Sequence, residues 1–355
     1  MTPVNHYSYK KLQDFCSSIF VHAGVEKEQA DIVAASLVQA DLRGVDSHGV
    51  VRTAIYLKRV ENNMINPAAK IRTEKENEST ALIDGANHFG AVVGTKALKL
   101  AMKKAKANGI AMVGVKHSNH FGTGAYYALE GVKEDLVTIV MSNASQTMPP
   151  TGGLRPFIGT NPLAVGIPCG EYQPFLLDMA TSVVARGKII VAAQKGKSIP
   201  PGWAIDKHGK ATTNAEEALQ GSVLPLAGPK GYGISMFIDI LSGVLTGAGF
   251  GKYVHNMYEN WEDPQNVGHF FITIDINKFI DIQTFKKRMD LYIQAIKSEP
   301  KAEDVEEILI PGEIETRISE QRKKNGITLP LKVEQELTEI GRKYGVPLED
   351  ALLRC

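Results

Sequence analysis

Five short apolar runs in the middle of the chain limit its possible folds more than any other feature. Each run is rich in β-branched or other apolar residues and is bounded by turn-forming residues, as is typical of strands in one sheet. The runs are residues 110–115, 136–141, 163–167, 175–177 and 269–276, and a shorter one at 81–83 precedes the turn at Asp84-Gly85. Helical segments separate these runs irregularly. The sequence therefore predicts an α/β fold of three layers, with a mixed sheet between helices.

Both ends of the chain have helical spacing instead. Apolar residues recur at helical intervals between residues 9 and 43 on either side of Gly24, which predicts two amphipathic helices joined there. Further helices are expected at 279–297, 314–325 and 330–344, the last two packing on the first ones. Because 355 residues exceed the roughly 250–300 that one core supports, we expect three parts. These are an N-terminal helical lobe (1–75), a mixed-sheet domain that binds a dinucleotide (76–277) and a C-terminal helical segment (278–355) that completes the lobe.

Charge and hydropathy exclude several classes of protein. The 40 basic and 39 acidic residues give a net charge of +1 without a long run of one sign, which argues against a nucleic-acid partner. Residues 234–250 are the most hydrophobic segment, but Asp239 and several glycines interrupt it. We interpret it as a buried helix that runs into a loop, and not as a membrane span.

The first ten residues lack the pattern of a signal peptide. The three cysteines, Cys16, Cys169 and Cys355, are odd in number and far apart, which favours reduced thiols. We therefore expect a cytoplasmic protein.

Two short segments carry the chemistry. Residues 46–52 read DSHGVVR and residues 117–122 read HSNHFG. Each brings an imidazole, the side chain that titrates near neutral pH, next to small residues. Arg52 adds a group that binds a carboxylate with two parallel hydrogen bonds. With Ser47 as an N-cap, His48 and Arg52 are predicted on one face of a helix, and the set suggests redox chemistry on a small acid.

The other histidines lack comparable surroundings and are expected to be surface or packing residues; they are His6, His22, His88, His117, His208, His255 and His269.

The glycine fingerprint of a Rossmann dinucleotide site is absent. The nearest approach, residues 247–251 (GAGFG), has the wrong spacing. Two other loops suit an anion or a ribose better: residues 178–182 (DMATS) and 228–233 (GPKGYG). From chemistry alone, a helix cap at Asp178 and a turn with a solvated Lys230 are the favoured interpretations. The usual zinc spacings are also missing, so no metal site is predicted.

Six motifs, taken together and in order, resemble the malate/L-lactate dehydrogenase family. They are SHGVVR at 47–52, SNHFG at 118–122, GTNPL at 159–163, DMATS at 178–182, IPPGWA at 199–204 and GPKGYG at 228–233. This family is distinct from the Rossmann lactate and malate dehydrogenases and includes ureidoglycolate, sulfolactate and diketogulonate oxidoreductases. The resemblance implies the family's own nicotinamide-binding fold, similar to sulfolactate dehydrogenase. It also implies a homodimer, or an assembly of dimers, with the active site near the subunit interface.

The resemblance further implies an NAD(P)-dependent oxidoreductase that moves a hydride between nicotinamide and a small 2-hydroxy or 2-oxo acid, with malate or L-lactate as the default. His120 would exchange the proton of the substrate hydroxyl, with His48 as the alternative. The substrate pocket would include Arg52, Tyr56, Thr160 and Asn161. The residues that would line the dinucleotide are Asp178, Met179, Ala180, Thr181, Gly228, Pro229, Lys230, Gly312 and Glu313. Arg186 lies where a 2′-phosphate of NADP would need a cation, but NAD is slightly favoured.

Three other interpretations stay open on the sequence. Residues 226–233 also resemble those of ureidoglycolate dehydrogenases. A metal-dependent hydrolase or lyase would use His48, His120 and Asp178 as ligands. A ligand-binding relative without catalysis would keep the fold but would not need His48, Arg52 and His120 together. More ordinary roles are a salt bridge for Arg52 and a core position for Tyr56.

Overall fold

The computed structural model describes residues 5–353, and its organising feature is a mixed sheet of seven strands. The chain's strands are β1 (His6–Tyr7), β2 (Arg72–Glu76), β3 (Thr80–Asp84), β4 (Ile110–Ser118), β5 (Leu136–Ser142), β6 (Leu163–Ile167), β7 (Phe175–Met179), β8 (Ala204–Ile205), β9 (Ala211–Thr212), β10 (Ser222–Val223), β11 (Val267–Asp275) and β12 (Ile327–Thr328). The large sheet has the order β2-β3-β4-β11-β5-β6-β7. Only the β3–β4 pair within it is parallel.

Helices cover both faces of this sheet. The α-helices are α1 (Tyr9–His22), α2 (Lys27–Leu42), α3 (Thr53–Glu61), α4 (Gly90–Asn108), α5 (Gly124–Lys133), α6 (Arg186–Gln194), α7 (Ala215–Gln220), α8 (Pro229–Asp239), α9 (Ile282–Ser298), α10 (Glu313–Asn325) and α11 (Leu331–Tyr344). Helices α4 and α5 pack on one face, around Val113, Val140 and Phe271. Helix α8 and the π-helical turn after it, Ile240–Val244, pack on the other, around Met141 and Phe270. The predicted three-layer mixed fold is confirmed.

Strand β11 lies at the centre because its sequence suits burial on both faces. Residues 267–271 are all buried, and β11 pairs along its length with β4 on one side and β5 on the other. Strand β11 begins at Val267, about 150 residues after the end of β4. The residues just before β11 therefore lie next to the loop that follows β4.

The chain ends form a helical lobe with its own core. Helices α1, α2 and α3 share this core with α11, and Leu12, Phe20, Leu37 and Leu337 are buried in it. Strand β1 pairs with β12, which ties the first described residues to the last helices. Helix α10 packs on α2.

Helix α9 lies elsewhere, with Ile293 buried beside Cys169 and Ile310 near the end of the sheet. The sheet begins at Arg72, slightly before the boundary expected at 75/76. A small unit between residues 184 and 223, with α6, α7 and strands β8–β10, has a separate apolar cluster around Ile189 and Ala204 that the sequence did not distinguish.

Two local predictions were wrong. Residues 46–52 do not form the first turns of α3, which begins at Thr53 and not after Ser47. His48 ends one 3₁₀ turn, Gly49 is extended with φ −84° and ψ −151°, and Arg52 ends a second 3₁₀ turn. The segment 234–250 does form a helix and a loop, but much of its apolar surface is exposed instead of buried. No helix within residues 5–353 has the length and apolar character that crossing a bilayer requires.

Candidate active site

A buried carboxyl group shapes the turn that carries His48. Asp41 Oδ2 accepts a hydrogen bond from the backbone N–H of Val50 at 2.8 Å. A Cβ atom at Gly49 would lie 1.8 Å from Asp41 Oδ1, so only glycine fits there. Burial raises the pKa of Asp41 to about 8. The chain therefore bends around this side chain, which is why one continuous helix does not form.

The loop that carries His120 is held from several directions. Buried Asn119 donates through Nδ2 to the carbonyls of Asn87 and His88, each at 3.0 Å. The backbone N–H of His120 donates to Gln265 Oε1 at 3.0 Å. Tyr127 donates its hydroxyl to the carbonyl of Phe121 at 2.6 Å. These bonds fix the backbone on both sides of the imidazole.

The structure brings the two predicted imidazoles together. The ring centroids of His48 and His120 lie 5.4 Å apart, although the residues are distant in sequence. The hydroxyl of Tyr56 lies 2.6 Å from Nδ1 of His120. Because this contact uses Nδ1, Nε2 is the nitrogen left to face a substrate. Tyr56 is buried, but its hydroxyl contacts a functional side chain, so it is more than a core residue.

Both imidazoles are held neutral. Burial lowers the pKa of His48 to about 4, and the nearby Arg52 cation lowers it further in the same direction. Burial also lowers the pKa of His120 well below its usual value, and the nearby Arg52 cation lowers it further. The neutral form keeps the nitrogen lone pair that a proton acceptor needs, whereas burial and the cation both oppose its protonation until a substrate anion binds.

Arg52 is oriented by its neighbours and not by a salt bridge. Its Nε donates to the carbonyl of Ser47 at 2.7 Å, and its guanidinium carbon lies 5.5 Å from the centre of the Tyr258 ring. Met257 Sδ lies 3.9 Å from Nη1. Among the described residues, none of the ion pairs involves Arg52.

Sequence reasoning missed the segment that supplies these contacts. Met257 and Tyr258 reach Arg52, and Gln265 reaches His120, all from the segment that leads into β11. No motif marks them, because their role depends on where β11 enters the sheet.

Asp178 lies beside the same loop. Its Oδ2 accepts from the backbone N–H of Ala125 at 2.9 Å, and a Cβ at Gly124 would lie 3.3 Å from Oδ1. Asp178 therefore contacts the start of α5, four residues after His120. It keeps an exposed surface, yet the atoms packed around its carboxyl group raise the pKa to about 6 by desolvation.

The two loops proposed to bind the cofactor are adjacent. The backbone N–H of Leu226 donates to the carbonyl of Thr181 at 2.9 Å, and Ser182 pairs with Pro225. Thr181 Oγ1 is buried with no hydrogen-bond partner among residues 5–353. Met179 and Ala180, between Asp178 and Thr181, are partly exposed.

The second loop precedes α8, whose first turn leaves the N–H of Lys230 as its available backbone donor, because Pro229 has no N–H and the N–H of Gly231 donates to the carbonyl of Leu226 at 2.9 Å. Gly228 has φ +62°, and α8 begins at Pro229 without a side-chain cap. Lys230 is exposed on the first turn. The ammonium group of Lys230 and the positive end of the helix dipole both attract anions to this helix start.

Thr160 and Asn161, just before β6, are hydrogen-bonded to the first loop and to α8. The carbonyl of Thr160 accepts from the N–H of Thr181 at 3.0 Å. Asn161 is fully buried, with Oδ1 accepting from the N–H of Ala144 and Nδ2 donating to the carbonyl of Ser235, each at 2.9 Å. The Asn161 amide thus links strand ends and α8, whereas Thr160 is partly exposed.

Gly312 and Glu313 lie beside β7 but differ in whether they are free to bind a ligand. Gly312 has φ +95°, and a Cβ there would lie 2.9 Å from Cβ of Leu176. Glu313 is buried, and its Oε2 accepts from Lys297 Nζ at 2.9 Å and from the N–H of Ile310 at 3.0 Å. Its carboxylate is thus already paired within the chain.

Comparison with known proteins agrees with this geometry. The family model described as malate/L-lactate dehydrogenase matches residues 7–338. The chain belongs to the malate/L-lactate dehydrogenase family. Malate dehydrogenase from Pyrococcus horikoshii is 45% identical over 95% of this chain and 94% of its own length. Malate/(S)-sulfolactate dehydrogenase from Methanothermus fervidus is 42% identical over 92% and 94%.

The fold matches solved members of the family as well. Sulfolactate dehydrogenase from Methanocaldococcus jannaschii has a TM-score of 0.92 at 39% identity, covering 98% of this chain and 99% of that one. A more distant relative is ureidoglycolate dehydrogenase (NAD(+)) from Escherichia coli O157:H7, 34% identical over 91% of this chain and 92% of its own length. The predicted family, fold class and dehydrogenase activity are confirmed, and membership implies a nicotinamide cofactor.

Proposed function

We propose that this family member transfers a hydride between nicotinamide and a small 2-hydroxy or 2-oxo acid, of the malate or L-lactate type. The observation that carries the proposal is the cluster of His120, Tyr56, His48 and Arg52 beside a loop whose end contacts Asp178. A proton acceptor and a carboxylate-binding cation then lie next to the loops suited to the dinucleotide.

His120 is the proposed proton-exchanging residue. In the oxidation direction its Nδ1–H donates to the oxygen of Tyr56, so Nε2 accepts the proton of the substrate hydroxyl. Tyr56 thereby fixes the ring's orientation, and its oxygen can accept from the tautomer that leaves Nε2 unprotonated. His48, whose ring lies 5.4 Å away, is the alternative acceptor.

Arg52 is proposed to bind the substrate carboxylate. Its position relative to Ser47 and Tyr258 is fixed, so little side-chain freedom is lost on binding. A bound carboxylate also offsets the cation's effect on the two imidazoles and raises their pKa. His120 can therefore hold a proton in the complex and return it during reduction. Thr160, which is partly exposed, is proposed to contribute its hydroxyl as a further contact to the substrate.

The residues present fit a nicotinamide dinucleotide. The uncapped start of α8, with Gly228, Pro229 and Lys230, suits a diphosphate. The exposed carboxyl of Asp178 suits ribose hydroxyls, and the orphaned hydroxyl of Thr181 offers a further polar contact. Met179, Ala180 and the backbone at Gly312 would line the site, with Glu313 supporting that backbone. When bound, the cofactor supplies or accepts the hydride.

NAD is favoured over NADP. A ribose diol needs no cation, and Arg186, the cation singled out for a 2′-phosphate, already donates through Nη2 to the carbonyl of Leu219 at 3.3 Å. A cytoplasmic location is also part of the proposal, and the free, buried thiols of Cys16 and Cys169 support it; Cys355 lies outside the described residues.

A homodimer is proposed because α8 leaves an apolar face uncovered. Ile234, Met236 and Phe237 on α8 are exposed together with Ile240 and Val244 on the π-helical turn and with Leu245 after it, and these side chains are 38% to 63% accessible. Contiguous apolar surface of this kind marks interaction sites. The face starts at the helix whose N-terminus is proposed to bind the dinucleotide, so the partner would lie close to the active site.

Ureidoglycolate is the second candidate substrate, supported by the Escherichia coli relative. The test is a panel of malate, L-lactate, sulfolactate and ureidoglycolate with NAD and NADP, followed by nicotinamide absorbance. We expect reduction of NAD with at least one small 2-hydroxy acid. Silence with every acid and both cofactors, in protein that binds NADH, would favour a non-catalytic relative. Activity with ureidoglycolate alone would select the second candidate.

A further inference from the structure

We propose that His269 is a positioning residue for His120. From strand β11, its side chain supports the loop after β4 that carries His120. This inference rests on the proposed role of His120. His269 lies on β11 and is fully buried, and its neighbours in sequence do not distinguish it from a histidine that only packs.

Both ring nitrogens of His269 have partners on neighbouring strands. Nδ1 lies 2.9 Å from Ser142 Oγ at the end of β5, and Nε2 lies 2.8 Å from Ser118 Oγ at the end of β4. Ser118 Oγ donates in turn to the carbonyl of Asn119, the residue immediately before His120, at 3.5 Å. One side chain thus joins the three central strands at the point where the His120 loop leaves β4.

The flat face of the same ring supports the residue after His120. The rings of His269 and Phe121 are stacked with centroids 4.4 Å apart and an angle of 6°. Phe121 is stacked in turn against Tyr127, with centroids 4.8 Å apart. His120 is therefore flanked by Asn119 and Phe121, and His269 reaches the first through Ser118 and stacks on the second.

The imidazole suits this position because it combines an aromatic face with two polar edges. Burial lowers its pKa to about 3, so the ring stays neutral and places no second positive charge near His120. Phenylalanine would retain only the face, and glutamine only polar contacts. His269 does not contact Tyr56, His48 or Arg52 through any hydrogen bond of the described residues.

The effect on catalysis is expected in the rate constant. A displacement of about 1 Å at a catalytic group can cost about 100-fold in rate. The loops proposed to bind the dinucleotide do not depend on His269, so cofactor binding is expected to persist.

The experiment compares His269→Ala, His269→Phe and Ser118→Ala with Val140→Ala, a control in the buried core of neighbouring β5. We expect kcat for the best acid to fall about tenfold to 100-fold in His269→Ala, with the KM for the dinucleotide unchanged. His269→Phe should regain part of kcat through its ring, and Ser118→Ala should lose a smaller part. Val140→Ala should keep kcat at a comparable melting temperature.

The outcomes separate the two proposals. If the parent protein oxidises no acid, the proposed function fails, irrespective of His269. If the parent is active and the His269 and Ser118 variants keep the kcat of Val140→Ala, the positioning role is overturned. If His269→Ala does not fold, Ser118→Ala decides: a lower kcat at unchanged dinucleotide KM supports the role, and an unchanged kcat refutes it.

Discussion

The hydroxyl oxygen of Tyr56 lies 2.6 Å from Nδ1 of His120. Tyr56 belongs to α3 in the helical lobe, and His120 follows β4 of the central sheet. This contact therefore joins the two parts of the molecule at the atom that sets the tautomer of the proposed base.

Tyr56→Phe tests the importance of that contact. The ring remains in place, so only the hydrogen bond is lost, at a cost of about 0.5–1.5 kcal/mol or about two- to twelvefold in kcat. Stopped-flow hydride transfer would measure it. Tyr126→Phe, a partly buried tyrosine on α5, is the matched control and should keep the parent's rate. Equal rates in both variants would remove Tyr56 from the mechanism.

His120→Ala distinguishes the two imidazoles. Positioned proton transfer contributes about 10²–10⁴-fold, so we expect a loss of that order in kcat while NADH fluorescence still reports binding. His48→Ala should lose less, because its Nδ1 faces Ser47 and not Tyr56. A severe loss in His48→Ala with near-normal His120→Ala would reverse the assignment.

Arg52→Met should weaken acid binding and change the pH profile. Loss of charged hydrogen bonds costs about 1.5–3 kcal/mol, or about tenfold to 150-fold in kcat/KM for the acid. Burial is the main cause of the low pKa of both imidazoles, and the Arg52 cation adds to it. Without that cation the pKa of each rises.

Oxidation needs the neutral imidazole, so the acid limb of kcat/KM should move to higher pH in Arg52→Met. Arg72→Met offers a control, since Arg72 is an exposed arginine on the edge strand β2 and is not among the groups that shift the pKa of either imidazole. A variant profile that overlays the parent's at its acid limb would show that Arg52 does not act on the imidazoles.

Asp41→Asn should change how stability depends on pH. Burial raises the pKa of Asp41 to about 8 in the folded protein, against about 3.9 when unfolded. The folded state therefore retains a proton that the unfolded state has lost, and stability falls as pH rises towards 8 and through it.

Between pH 6.5 and 8.5 we expect the melting temperature of the parent to decline and that of Asp41→Asn to decline less. The buried histidines His48, His88 and His269 have lowered pKa values. They therefore make stability change with pH mainly below about pH 6.5, where the unfolded state binds their protons. Asp31→Asn is the control because the pKa of Asp31 is lowered and its contribution changes only in acid. Parallel curves for parent and Asp41→Asn would contradict the prediction.

Leu245→Asp tests the apolar face of α8 and its π turn. A charge at the most exposed member of this face, 63% accessible, should dissociate the proposed homodimer. Light scattering after gel filtration would show the change in mass. Leu331→Asp, at an equally exposed position on α11, should leave the assembly intact. If Leu245→Asp and the parent have the same mass, the face is not the interface.

Local patterns explain why so much of the fold could be predicted. The strands β4, β5, β6, β7 and β11 each have an apolar run bounded by turn residues, and α1 and α2 meet near Gly24 as their periodicity requires. His48, Arg52 and His120 can be recognised in the sequence because each is a reactive side chain in a short segment that also contains glycine and serine. Such signals depend only on neighbours in sequence, which is why the sequence carries them.

The turn at residues 46–52 shows where local patterns fail. Ser47 has the chemistry of an N-cap, but the buried carboxyl of Asp41 takes the Val50 N–H and makes Gly49 extended. The exposed apolar face of α8 is a second case, because hydropathy measures how apolar a segment is and not which surface it faces.

The sequence alone determined the family, the layers of the fold and the residue types able to move a proton and bind an acid. Tertiary structure alone decided that Tyr56 would face His120, that Gln265 and Tyr258 would complete the site, and that His269 would lie beneath it. Each of those contacts joins residues from distant elements, and the order of strands in the sheet, with β11 inserted between β4 and β5, is what brings them within bonding distance.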